Sequence, residues 1–127
     1  IVDDALALLA RPDFEALFAP GSLAETPVAG AITLRDGTSR LVSGQIDRLA
    51  VSHNEVLIAD FKTAATPPRT AAEIPATTLA QLAVYQALLA QIYPGRRIRT
   101  LALYTASLTA FEPEDALLQG VLAAMTG

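Results

Sequence analysis

Residues 55–63 read Glu55-Val56-Leu57-Ile58-Ala59-Asp60-Phe61-Lys62-Thr63. This short, nearly continuous apolar run predicts a buried β-strand. The strand carries Asp60 and Lys62, and Lys62 is the only lysine in a chain that has eight arginines. Residues two apart in a strand point to the same face, so the acid and the lysine are neighbours. Burying a charge without a partner is unfavourable, so the pair is either a half-buried ion pair or part of a chemical site.

The preceding segment predicts the neighbouring strand. Leu41 to Val51 has strand character, and a turn at His53-Asn54 joins it to Glu55–Thr63. Asp47 lies in the middle of this strand, where acids are depleted, and the short turn places it across from the region of Asp60. Two carboxylates this close repel each other unless one is protonated or a cation lies between them. Mg²⁺ or Mn²⁺ would suit such oxygen ligands.

The rest of the chain predicts an α/β domain with a mixed sheet and the order α-β-β-β-α-β-α. Before the two strands already described, we expect a helix over residues 2–10, a short helix from Pro12 to Pro20-Gly21 and a strand from Val28 to Leu34 before an Asp36-Gly37 turn. After them, we expect a loop over Ala64–Thr78 and a helix from Thr78 to Tyr93 that ends at Pro94-Gly95. A fourth strand over Ile98–Tyr104 and a last helix from Pro113 complete the predicted elements. A strand that follows a helix packed on the sheet is expected to lie parallel in it. The predicted sheet is therefore an antiparallel three-strand meander plus one parallel strand after a crossover helix, flanked by helices.

Composition indicates one folded domain over residues 1–127. The chain is 52% hydrophobic and 17% charged, which is typical of a globular unit. It contains no cysteine, which excludes disulfides, thiolate zinc sites and iron–sulfur clusters and fits a cytoplasmic protein. No apolar run approaches the length of about 18 residues that a membrane span needs. Because the chain begins at Ile1 with a helix-like pattern, we expect it to be a fragment of a longer protein.

The net charge of −4 disfavours nucleic acid as a partner, but a bound cation would supply local positive charge. The basic cluster Arg96-Arg97-Ile98-Arg99 is more typical of a solvated turn before a strand than of a DNA contact. The chain has no Gly-rich phosphate loop, so no ATP site is predicted in it.

Three motifs occur in order along the chain. They are Gly44-Gln45-Ile46-Asp47-Arg48-Leu49, then Asp60-Phe61-Lys62-Thr63, then Gln81-x-x-x-Tyr85. Together they resemble the RecB-type nuclease domain of the PD-(D/E)XK superfamily, over nearly the whole chain. The flanking segments Phe18-Ala19-Pro20-Gly21-Ser22, Ala24-Glu25-Thr26-Pro27 and Tyr93-Pro94-Gly95 resemble more closely the C-terminal nuclease domain of alphaproteobacterial helicase–nucleases of the AddA type.

This resemblance implies a restriction-endonuclease-like core and a metal-dependent deoxyribonuclease that uses Mg²⁺ or Mn²⁺. It further implies a parent protein in which an ATP-driven helicase feeds single strands to an exonuclease during double-strand break repair and recombination. An AddB-like subunit would be the partner in that parent complex. No membrane association is implied.

The resemblance also assigns residues. Asp47 and Asp60 would bind the metal together with the backbone carbonyl of Phe61, and Lys62 would be the catalytic lysine. Accessory positions near the DNA would be occupied by Gln81, Tyr85, Arg48, Thr63 and Glu25. The family has a metal-binding histidine on an upstream helix that His53, the only histidine, does not match; we expect His53 to be exposed in its turn.

Two alternatives remain open from the sequence. The domain could be a non-catalytic module kept for docking, structure or DNA tracking, which the missing histidine and the acidic charge favour. It could also hydrolyse its substrate with two carboxylates acting as acid and base without a metal, but the lysine would then lack a role.

Overall fold

A computed structural model describes residues 15–17, 19–63, 66–107 and 109–126. In this part of the chain, five strands form one sheet in sequence order. The elements are β1 Leu23–Thr33, β2 Ser39–Val51, β3 Glu55–Lys62, α1 Ala76–Ile92, β4 Arg97–Tyr104, β5 Thr109–Phe111 and α2 Asp115–Thr126, with a 3₁₀ turn at Ala71–Glu73.

The mixed sheet confirms the predicted fold class. Strand β3 pairs with β4 in parallel, and the other neighbouring pairs are antiparallel. Helix α1 is the crossover between the two parallel strands, as the strand–helix–strand order requires. In the parallel pair, Glu55 lies opposite Arg97 and Lys62 lies opposite Tyr104. The two strands therefore end at the same edge of the sheet.

The turns lie where the sequence predicts them. Gly37 has a φ of +86°, a left-handed conformation that glycine adopts without strain, and it closes the hairpin between β1 and β2. The segment between β2 and β3 includes His53, which is exposed as expected. Past the end of α1, Gly95 has a φ of +81° in the turn that leads to β4.

Several element boundaries differ from the prediction, and one strand is additional. Strand β1 begins at Leu23, five residues before the expected Val28. Helix α1 begins at Ala76, two residues earlier than expected, because Pro75 precedes its first turn and suits that position. Strand β5 was not predicted, since three residues are too short for a recognisable pattern. The helix expected over residues 2–10 lies outside the described residues, and of the second helix residues 15–17 are described and are helical.

Alternation along β3 divides the core between the two faces of the sheet. Val56 and Ile58 pack against Leu88 and Leu89 of α1 on one face. Leu57 lies in a second buried cluster on the opposite face. This alternation places Asp60 and Lys62 on the face that α1 covers. Helix α2 packs in turn against α1, through a cluster that holds the following residues: Leu82, Ala83 and Leu118.

The alternation breaks in β2. Ile46 and Leu49 are three residues apart, yet both belong to the core beneath α1. Across from this break, Glu25 of β1 has a φ of +50°, between residues that pair regularly with β2. Asp47 lies inside this irregular segment, so its side chain does not have to follow the regular alternation between the two faces of the sheet. None of the described helices is long and apolar enough to cross a membrane.

Candidate functional site

The site lies where β2 and β3 separate. The last regular pair between them is Arg48 with Ala59, and one further step of this register brings Asp47 opposite Asp60. Beyond that pair the Phe61 N–H donates to Asp47 Oδ2 at 2.7 Å. A backbone N–H inside a protein needs an acceptor, and here a carboxylate supplies it. Asp47 is thereby fixed beside the end of β3.

Asp60 is a buried acid with an incompletely satisfied carboxylate. The residue is 4% exposed. Lys62 Nζ lies 3.0 Å from Asp60 Oδ2 and forms an ion pair with it, and within the described part of the chain no other donor reaches that oxygen. Burial raises the pKa of Asp60; the nearby Lys62 lowers it, and the Asp47 carboxylate raises it further. Two carboxylates, Asp47 and Asp60, therefore share one ammonium at the end of β3.

A directed chain of hydrogen bonds holds Lys62. Its ammonium donates to Gln81 Oε1 at 2.9 Å, and Gln81 Nε2 donates to the Tyr85 hydroxyl at 3.0 Å. The Tyr85 hydroxyl donates to the carbonyl of Gln45 at 3.0 Å. Because lysine can only donate, the chain fixes which end of the Gln81 amide faces it. Spacing of four residues on α1 brings Gln81 and Tyr85 to one face, as the sequence predicts.

Gly44 of β2 makes room for this chain. A Cβ atom at residue 44 would lie 2.7 Å from Tyr85 Cε1 and 2.9 Å from the Tyr85 hydroxyl. Glycine is therefore required here for the close approach of β2 to Tyr85, since any side chain would displace the tyrosine ring that completes the series of hydrogen bonds from Lys62.

Replacing Gly44 with alanine is expected to lower the free energy of unfolding by about 1–3 kcal/mol, because the added methyl overpacks against Tyr85. Urea denaturation measures the change. Gly120→Ala is the matched control: nothing lies within 4 Å of its Cβ, and alanine in helix α2 is expected to add about 0.5–1 kcal/mol. Equal stability of Gly44→Ala and the unaltered protein would contradict the tight contact.

Three sequence-predicted accessory residues do not join the carboxylates. The Arg48 guanidinium donates to the carbonyl of Leu17 at 3.0 and 2.8 Å and to Ser22 Oγ at 2.8 Å, so it binds the segment before β1. Glu25 is exposed, and its carbonyl accepts from Gln45 Nε2 at 3.3 Å. Thr63 is exposed just beyond β3. An arginine beside a motif aspartate points to the other face of a strand, which explains the placement of Arg48.

Tyr104 is a site neighbour that the sequence reasoning missed. It lies opposite Lys62 in the parallel register and is buried. Burial raises the pKa of Tyr104; the Lys62 charge lowers it and the Asp60 charge raises it. The signal that could have found it is the parallel pairing itself, which aligns the ends of β3 and β4.

A groove of about 450 Å³ opens beside the hydrogen-bond chain. Gln81 and Tyr85 form part of its wall, and Val42, Val84 and Met125 give it apolar surface. The larger cavity, about 550 Å³, is lined by residues of the opposite end of β3, such as Glu55, and lies away from the carboxylates.

The donor set suits a hard divalent cation. In the described residues, no group of three or more His, Cys, Asp or Glu side chains is arranged to hold a metal. Mg²⁺ does not require one, since it commonly binds through one or two carboxylates and keeps several waters. Asp47 and Asp60 supply two adjacent carboxylates beside a single ammonium, an excess of negative charge that a divalent cation would balance.

Comparison with known proteins gives a family match and a similar fold. The family model of the PD-(D/E)XK nuclease superfamily matches residues 7–122. The solved structure of a protein named SSO0001 is similar, with a TM-score of 0.53 and 15% sequence identity. That likeness covers 98% of this chain, which spans 64% of the length of SSO0001, and it concerns the fold. No curated protein matches the sequence.

Proposed function

Because the chain belongs to the PD-(D/E)XK nuclease superfamily, we propose that it is a metal-dependent deoxyribonuclease domain that hydrolyses phosphodiester bonds. One observation carries the proposal. Asp60, a buried acid, lies beside both the Asp47 carboxylate and the Lys62 ammonium at the end of β3. A purely structural ion pair would not need the second carboxylate, which raises the pKa of Asp60 and opposes its charge.

Asp47 and Asp60 would hold Mg²⁺ or Mn²⁺, with the Phe61 carbonyl as a further ligand by family resemblance. When bound, such a cation supplies positive charge that polarises the scissile phosphate. The Phe61 N–H holds Asp47 Oδ2 in place, so Asp47 needs little rearrangement to act as a ligand. Asp60 is held by burial and by the nearby Lys62.

Lys62 would stabilise the charge that develops on the phosphate. One of its N–H groups is engaged by Gln81, and its ammonium lies beside Asp60, so the nitrogen is held in place before substrate arrives. Water attacks phosphorus and gives up a proton to solvent as a new P–O bond forms, and the bond to the leaving oxygen breaks as that oxygen takes up a proton from solvent. The ammonium donates to a phosphate oxygen as negative charge increases there, which is preorganised electrostatic stabilisation.

The narrower part of the proposal rests on sequence resemblance. The segments that flank the motifs resemble AddA-type helicase–nucleases, so we propose an exonuclease that acts on single strands in double-strand break repair. A helicase elsewhere in the parent protein would hydrolyse ATP, and an AddB-like subunit would be its partner. The groove beside Gln81 and Tyr85 is a suitable path for a DNA strand toward Lys62.

Cleavage of labelled single- and double-stranded DNA tests the proposal. We expect hydrolysis in Mg²⁺ or Mn²⁺, none in excess chelator, and none by the Asp47→Asn, Asp60→Asn double variant. Activity that persists in chelator would instead favour two carboxylates acting as acid and base. Absence of cleavage under every condition, with impaired association of a partner subunit in the Lys62→Ala variant, would favour a docking module.

A further inference from the structure

We infer that the groove of about 450 Å³ beside Gln81 and Tyr85 is a subsite for an unpaired nucleobase of the DNA strand. The inference rests on the proposed nuclease function and deepens it, because it names the part of the substrate that this surface binds. Lys62 would meet a phosphate of the strand, and the groove would hold the base of an adjoining nucleotide.

Three elements form the walls of the groove. Val42 belongs to β2, Val84 to α1 and Met125 to the last turn of α2. The Arg35 N–H donates to the carbonyl of Thr126 at 2.9 Å, which joins the end of α2 to the hairpin between β1 and β2. The end of α2 is therefore fixed beside β2 before any ligand binds.

Gln81 connects the groove to the carboxylate site. Its Oε1 accepts from Lys62 Nζ at 2.9 Å, and the same residue lines the groove. A ligand in the groove thus lies one side chain away from the ammonium. In a DNA strand, one sugar joins each base to its phosphate, so a strand with a phosphate at Lys62 can place a neighbouring base in the groove.

The chemistry of the walls suits a base better than a phosphate. None of the described residues that line the groove is charged, whereas DNA phosphates are bound mainly through lysine and arginine. The walls are apolar at Val42, Val84 and Met125 and carry a few uncharged polar groups, a combination that is common in ligand pockets. A nucleobase has the same character, with flat apolar faces and a polar edge. The Gln81 amide carries two N–H groups and its bond to the Tyr85 hydroxyl uses one, so the other can donate to such an edge.

Met125 is an exposed apolar side chain at this groove. It is the only methionine in the chain and is 48% exposed, although α2 is anchored in the core through Leu118. A methionine side chain is flexible, and its thioether makes favourable contacts with aromatic rings. A base in the groove would cover Met125 and gain this contact.

The same subsite would favour unpaired strands. In a duplex each base is stacked and paired inside the helix, so moving one base into a protein pocket requires unpairing and unstacking, which is unfavourable. This cost is smallest for a base that is already single-stranded. The groove would therefore select single strands without reading their sequence through charged side chains.

Fluorescence anisotropy of a labelled oligothymidylate tests the inference, in chelator so that the strand is not cleaved. We expect Met125→Ala to weaken binding about 4- to 15-fold, the equivalent of one or two methylene groups that are no longer removed from water. Leu117→Ala is the matched control, because Leu117 is also an exposed apolar residue of α2 but does not line the groove, and it should leave affinity unchanged.

An abasic strand of the same length separates base contacts from phosphate contacts. It keeps every phosphate, so we expect it to bind the unaltered protein more weakly than oligothymidylate does and to be unaffected by Met125→Ala. Equal affinity for the two strands, the result expected if the groove receives a protein side chain instead, would overturn the inference and leave the proposed function in place. Unchanged affinity of Met125→Ala for oligothymidylate, or an equal loss on both strands, would overturn it as well. Absence of metal-dependent cleavage would overturn the proposed function, whereas the binding data would still decide the base subsite.

Discussion

Replacement of Lys62 with arginine is expected to lower DNA cleavage by about 10²- to 10⁴-fold. Lys62 is a compact point charge held by Gln81 at 2.9 Å and beside Asp60 at 3.0 Å. A planar guanidinium is larger and presents its donors in a fixed fork, so it cannot place one charge at the position of Nζ. Retention of positive charge would therefore not rescue the reaction.

Steady-state cleavage kinetics measure this effect, with Arg40→Ala as the control, because Arg40 is an exposed cation of the hairpin far along β2. The loss should appear in kcat more than in KM, since the interaction develops in the transition state. Because Lys62 is the only lysine, ¹⁵N-lysine labelling reports on this side chain alone, and its signal should change when DNA binds. Wild-type kcat in Lys62→Arg would exclude a specific role for the ammonium.

Replacement of Asp60 with asparagine is expected to remove cation-dependent stabilisation and to change the pH dependence of folding. Because burial raises the Asp60 pKa, the folded state favours its protonated form. The stability from that proton is fully present below the ordinary pKa of 3.8 and is lost as pH rises through the raised value. At neutral pH without metal, the charged carboxylate is therefore unfavourable, and Asp60→Asn should be as stable as the unaltered protein or more stable.

Chemical denaturation with and without Mg²⁺ measures this prediction. A cation at 100 times its dissociation constant should add about 2.7 kcal/mol to the free energy of unfolding of the unaltered protein and almost nothing to that of Asp60→Asn. The difference between the two proteins in chelator should shrink as pH falls below the raised pKa. Equal stabilisation of both proteins by Mg²⁺ would show that the cation binds elsewhere.

The strands that carry Asp47, Asp60 and Lys62 could be predicted from the sequence, because apolar runs and turns are local patterns. The apolar run of β3, the turn before it and the crossover helix together predict the antiparallel pairing of β2 with β3 and the parallel position of β4. The regular pairing ends at Arg48 and Ala59, and the bond from the Phe61 N–H to Asp47 Oδ2 confirms that Asp47 lies across from the region of Asp60. The roles of Asp47, Asp60 and Lys62 in catalysis stay predictions.

Contacts that depend on packing could not be predicted in the same way. The bond from Lys62 to Gln81 requires the height and rotation of α1 above the sheet, which residue spacing does not give. Arg48 shows that the position of a residue in a motif does not determine where its side chain lies. Its motif position suggested a site residue, but its side chain bonds the backbone of Leu17 and the Ser22 hydroxyl instead. Tyr104 was missed because one tyrosine at a strand end carries no pattern.

The most direct test of the carboxylate site is a calorimetric titration of the protein with Mn²⁺, beside an Asp47→Ala, Asp60→Ala double variant. A second double variant, Glu73→Ala with Glu114→Ala, removes the same charge from exposed positions. We predict that the unaltered protein and the exposed-acid variant bind Mn²⁺ equally and that the Asp47, Asp60 variant does not bind it. Equal binding by all three proteins would contradict the proposal that these two carboxylates hold the metal.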